Sequence, residues 1–177
     1  MLKCVLLDAN IIIEAYHLGI WDKLIEKVEI SVSSIVAHTE ALFYDHKGKR
    51  VPESINLNNL IAAGKIKEHT ASYEDLAELY SLFDRVFIEG IHEGEAECLA
   101  LIQQQRVKDT LFCSGDAAAI QALAMLGRSE DGISLEALLK KTGLKQSLRR
   151  QFTEKFFREN LRQGAQNRIM QTGLRKK

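Results

Sequence analysis

Short apolar runs alternate with longer amphipathic stretches along this chain, and the alternation predicts strands and helices taking turns. Cys4–Leu7, Val- and Leu-rich without a polar break, reads as a strand buried on both faces of a parallel sheet. Over residues 11–28, Ile12, Ala15, Tyr16, Leu24, Ile25 and Val28 fall at helical spacings, with a turn near Gly19. Glu29–Ser33 alternates as a short strand, after which Ser33 or Ser34 caps a helix through IVAHTEALFY. HKGKRVPES is a polar loop with the only proline, and a short helix over 55–63 ends at Gly64. Residues 65–70 alternate as a strand. Ser72 and Asp75 then form a capping box for a helix reaching about Val86. A mostly buried helix follows within 90–105, because Ala96 and the run from Cys98 to Ile102 leave it little polar surface. Thr110–Cys113 is a further apolar strand, followed by turn, acid and helix in SGDAAAIQALAML, and residues 129–132 turn the chain into ISLEALLKKTG, a short strand or helix. The spacing of Leu144, Leu148, Phe152, Phe156 and Leu161 predicts a last amphipathic helix over 144–161, with Gly164 and Gly173 interrupting the rest.

This order of elements is that of an α/β protein with a parallel sheet. Its 177 residues suffice for one cored domain, residues 1–143, with 144–177 as a basic helical tail. No apolar run approaches the roughly 18 residues of a membrane span, and the amino terminus lacks a signal-peptide pattern, so a cytoplasmic protein without a membrane partner is expected. Cys4, Cys98 and Cys113 lie far apart in apolar runs, as buried reduced thiols do.

Charge changes the picture. The formal net charge is zero, yet residues 140–177 hold twelve basic and two acidic side chains while the rest holds twelve basic and twenty-two acidic ones. A basic tail on an acidic body points to a polyanion, a membrane surface or self-association as a homodimer. The polar faces of the tail helix carry Arg149, Arg150, Lys155, Arg158 and Arg162, candidates for contact with nucleic-acid phosphates. The other explanation is a basic helix packed on its own acidic body.

The candidate chemistry is acidic. Asp8 falls at the carboxyl end of the first strand, where open α/β sheets bind ligands, and Asp116 repeats that placement after Thr110–Cys113. Asp8, Asn10 and Asp116 equally suit helix caps. Glu40 shares a helix face with Val36, Phe43 and Tyr44, where a carboxylate is costly unless partnered or partly exposed. Glu93, Glu95 and Glu97 lead into an apolar helix, and the repulsion between Glu93 and Glu97 calls for a cation or an exposed helix start. Asp8, Glu40, Glu97 and Asp116 are expected to converge on one sheet edge. Hard oxygen ligands without a His or Cys set select Mg2+ or Mn2+. Such ions on carboxylates serve phosphoryl chemistry.

LLDANIII, the glutamate in SSIVAHTEAL, GEAECLAL and FCSGD resemble, in order and spacing, the four acidic motifs of PIN-domain nucleases of prokaryotic type, over residues 1 to about 144. The GEAE segment is also similar to flap endonucleases, where both glutamates lie at the metals. The resemblance implies a three-layer sandwich around a central parallel sheet and a Mg2+- or Mn2+-dependent endoribonuclease that cleaves RNA to leave a 5′-phosphate. It makes Asp8, Glu40, Glu97 and Asp116 the catalytic metal ligands, with Glu95 assisting. Asn10 would orient the first aspartate, and Ser114 matches a small polar residue before the last acid. Many members carry a second acid near the last one; here Ala117 and Ala118 follow Asp116, so a second metal does not carry over. Many small prokaryotic members are toxins held by an antitoxin protein, which makes such a partner an expectation. A reading from another class is a PIN-like module of little activity that binds RNA or protein through its tail. A phosphatase-like domain would need a second aspartate where Asn10 stands, and a response regulator an acid pair before its phosphorylated strand.

Overall fold

A computed structural model describes residues 4–46, 48 and 51–175. Strand β1 (Cys4–Leu7) buries Val5, Leu6 and Leu7 completely, as an unbroken aliphatic run between two helical layers must. Helices α1 (Ala9–His17) and α2 (Trp21–Lys27) divide the stretch 11–28 at Gly19, whose φ of +66° glycine adopts without a Cβ penalty. Strand β2 (Glu29–Ser33) follows as expected.

The helix expected through IVAHTEALFY is reduced to one π-helical turn, Val36–Glu40. Beyond it the chain extends into β3 (Phe43–Tyr44), paired antiparallel with β4 (Glu53–Ser54). Tyr44 there packs 5.3 Å from the Tyr16 ring and its hydroxyl donates to Glu53, contacts that override the local helical pattern.

Next come α3 (Leu57–Ala62), β5 (Ile66–His69) and α4 (Tyr73–Leu82), the last opened by the expected Ser72–Asp75 capping box. This helix stops at Leu82 because Phe83 turns extended into the core and bridges Leu174, and α5 (Arg85–Ile88) restarts under an Asp84 cap. The chain continues through α6 (Glu93–Gln103), β6 (Thr110–Cys113), α7 (Ala117–Met125) and α8 (Leu135–Thr142).

The four strands of the main sheet are all parallel, in the order β5-β2-β1-β6. From β1 the chain steps outward through β2 to β5, then crosses back to β6 on the far side of β1. Right-handed crossovers in opposite directions put α1–α3 on one face and α4–α6 on the other, which makes the three-layer sandwich. The reversal places at the carboxyl ends of β1 and β6 the switch point where open α/β sheets form their ligand crevice. Cys98 and Cys113 are buried free thiols that burial pushes up, while Cys4 is half-buried beside the Ser31 hydroxyl. Among the described residues no helix is long and apolar enough to cross a membrane.

The carboxyl-terminal segment departs most from expectation. No helix spans 144–161: a 3-10 turn covers Arg150–Phe152, and α9 (Glu154–Met170) starts under a Thr153 cap. Phe152 thus reaches the core from outside the helix, and Phe157 rather than Phe156 is the buried aromatic of α9, set against Gly132 and Leu123. Helix α9 runs straight through Gly164 and lies on α7 so closely that a Cβ at 164 would overlap the Gln121 carbonyl oxygen. Gly164→Ala is therefore expected to cost about 1–3 kcal/mol in urea unfolding, despite alanine's better helix propensity. Unchanged or raised stability would contradict that close approach.

Candidate active site

Asp8 reaches the crevice because its backbone extends the β1–β6 ladder by one rung, donating to the Cys113 carbonyl at 3.1 Å before turning into α1. Its Oδ1 accepts the Ala9 N–H at 2.6 Å, and its Oδ2 accepts the Ser114 hydroxyl at 2.8 Å. The same Ser114 oxygen accepts the Asp116 N–H at 3.0 Å, so one buried hydroxyl ties both acid-bearing turns together. Asp116 caps α7, its Oδ1 accepting the Ala118 and Ala119 N–H groups at 2.7 and 3.1 Å. Capping and site roles are therefore compatible on one carboxylate, since the cap engages only one oxygen.

Asn10 does not orient Asp8. Its Oδ1 accepts the Gly115 N–H at 3.1 Å, so it holds the turn between Ser114 and Asp116.

Asp8 is 2% exposed and Glu95 3%. Desolvation, with a contribution from the Glu40 charge, pushes Asp8 up to about 6. Desolvation and the charges of Asp8 and Asp116 push Glu95 up to about 9. Two neighbouring buried carboxyl groups do not both ionise readily, so near neutral pH a proton stays with the pair. The Glu95 Oε2 also accepts the His92 N–H at 3.1 Å, completing a capping box at the head of α6.

Glu97 goes elsewhere. Its Oε1 accepts the Ser34 hydroxyl at 2.8 Å and the Ala71 N–H at 3.1 Å, and its Oε2 accepts the Ile35 N–H at 2.8 Å. Residues two apart on a helix point to nearly opposite sides, so with Glu95 turned to β1 and β6, Glu97 braces the chain leaving β2 and β5. Of the two glutamates in GEAE, Glu95 rather than Glu97 thus lies beside Asp8. Glu97→Gln is expected to cost about 1–3 kcal/mol, because one of three donors loses its acceptor. Urea unfolding measures this, and Mn2+ titration of the same variant should match wild type.

Glu40 is half-buried at the margin, where its Oε1 accepts the Gly94 N–H at 2.9 Å. A Cβ at Gly94 would overlap its other oxygen, which explains why glycine precedes Glu95. Gly94→Ala should displace Glu40 and lower the unfolding midpoint; a wild-type midpoint would mean that Glu40 does not dock there.

The donor set of Asp8, Glu95, Asp116 and Glu40 fits a hard divalent cation in its chemistry, being carboxylate oxygen throughout. Among the described residues, however, no three His, Cys, Asp or Glu side chains are grouped closely enough to hold a metal ion as they stand. The acids also do not line the roomier surface clefts, such as one of about 570 Å³ between Leu82, Met125 and Leu174. Buried acids with raised affinities for their protons mark a site more specifically than cleft size does.

Of the expected phosphate contacts, Arg149 is paired with the buried Glu14 and lies 5.2 Å over the Phe152 ring. Lys155 and Arg158 pair along α9 with Glu159 and Glu154, and Arg150 and Arg162 are exposed. Glu14, 2% exposed, escaped notice in the sequence, although an acid inside ANIIIEAY amid apolar neighbours was the available signal. No protein-family model, curated protein or solved structure matches the chain.

Proposed function

We propose that this chain is a PIN-like, Mg2+- or Mn2+-dependent endoribonuclease whose site is Asp8, Glu95 and Asp116, with Glu40 at its margin. The supporting observation is the buried carboxyl pair of Asp8 and Glu95 at the crevice above β1 and β6. Burying two like acids near each other destabilises a fold, and capping α1 and α6 needs no such juxtaposition. Perturbed acids in such a crevice are the pattern of a working site.

Asp8, Glu95 and Asp116 would hold the cation, which when bound activates a water and neutralises charge on the phosphate. Ser114 and the Ala9 N–H fix the Asp8 carboxylate, and two helix N–H groups fix Asp116. Glu95 must give up its proton to act as a ligand. Affinity for Mn2+ is therefore expected to rise from pH 6 toward pH 9, the interval between the raised values of Asp8 and Glu95. Calorimetric titration across that range checks this, and a flat profile would contradict it.

RNA as the substrate rests on the motif resemblance and on the exposed Arg150 and Arg162; an antitoxin-type partner and a homodimer belong to the same reading. The second reading, a binding module of little activity, is favoured by acids that stand too far apart to chelate. Single-stranded RNA incubated with Mn2+ or with EDTA separates the two. Mn2+-dependent cleavage supports the nuclease, and RNA binding without cleavage supports the module.

A further inference from the structure

We propose that Arg149 and Phe152 are positioning residues for the acidic site, clamping the head of α1 to the turn that carries Asp116. This rests on the site reading above and extends it to a part of the chain outside the acidic motifs.

Glu14 lies four residues after Asn10, on the same face of α1, and is almost fully buried. Both of its carboxylate oxygens accept from Arg149, one from Nε at 3.4 Å and the other from Nη2. The Arg149 guanidinium also lies over Phe152, whose ring edge fills the space that a Cβ at Gly115 would need, 2.5 Å away. Gly115 separates Ser114, which donates to Asp8, from Asp116. One short segment therefore presses on the turn bearing Asp116 while gripping the helix that Asp8 caps. The Asn10–Gly115 hydrogen bond joins the same two elements from inside.

Stability alone does not call for this arrangement. A carboxylate taken out of water is repaid only by a well-formed partner, and apolar side chains of similar volume often stabilise as well or better. What the planar two-pronged Arg149–Glu14 pair adds is a fixed direction. In metal sites, groups that orient the ligands without touching the ion commonly change affinity by about 10–100-fold when removed.

The test is calorimetric titration of Mn2+ into the full-length wild type, Arg149→Lys, and the double variant Glu14→Met with Arg149→Met, each with its thermal unfolding curve. The double variant is expected to unfold cooperatively near the wild-type temperature but to bind Mn2+ about 10–100-fold more weakly. Arg149→Lys, which keeps the charge and loses the fork, should move in the same direction. Should the double variant not fold, Arg149→Lys decides, because its side chain is 62% exposed and tolerates the change. Folded variants that bind Mn2+ like wild type overturn the clamp alone. A wild type that takes up no Mn2+ overturns the site reading, and the clamp with it.

Discussion

Ending the chain at Gly143 is expected to abolish cooperative folding, leaving no independent domain behind. Truncation removes Phe152 and Phe157, both buried against the rest of the chain. Losing one such ring to alanine typically costs about 3–5 kcal/mol, and a domain of this size has only about 5–15 kcal/mol in hand. Truncation also strips α7 of the helix packed on it and leaves the buried Glu14 without Arg149. The strap closing on Phe83 goes too: Asp84 donates to Gly173, and Arg175 to Leu82. These losses together are comparable to the whole stability of the fold. Circular dichroism with urea titration of residues 1–143 is the check, and a sharp unfolding transition would contradict it. Phe157→Ala in the full chain should still fold, less stable by about 3–5 kcal/mol.

Glu95→Gln is expected to abolish Mn2+-dependent cleavage while raising the stability of the metal-free protein. The sign follows from burial. An unfolded Glu95 titrates at the ordinary carboxyl value, whereas the folded one holds its proton up to about 9. Between those values the folded state binds more protons than the unfolded state, so rising pH erodes wild-type stability, and the loss is complete above about 9. Glutamine resembles the protonated form and escapes that loss. The variant's melting temperature should therefore exceed wild type's by a margin that widens from about pH 5 to pH 9. Asp8→Asn should likewise lose cleavage with its fold intact, because asparagine still caps α1. A margin that stays flat or shrinks with pH would show that Glu95 is ionised in the folded protein.

Much of the sheet was legible because β1 and β6 are apolar runs too short for helices, β2 alternates, and an acid follows closely on β1 and on β6. Asp8 and Asp116 could be placed from that alone. The choice between Glu95 and Glu97 could not, since the periodicity of so apolar a helix leaves its rotation about the axis open. The carboxyl-terminal segment was misread because the four-residue spacing from Leu144 to Phe156 mimics a helix face. No cap starts a helix at 144, whereas Thr153 caps one nine residues later. Both missed features of the site, the burial of Glu14 and the ring against Gly115, depend on contacts more than 30 residues apart along the chain, beyond the reach of local pattern.

Cleavage of an end-labelled single-stranded RNA in Mn2+ decides whether Asp8 and Glu95 form the core of a cation-dependent ribonuclease site. Wild type and Glu97→Gln should cut it to fragments with 5′-phosphate ends, EDTA should stop both, and Glu95→Gln should leave the RNA intact. Cutting by Glu95→Gln at the wild-type rate, or no cutting by any of the three, would contradict the account.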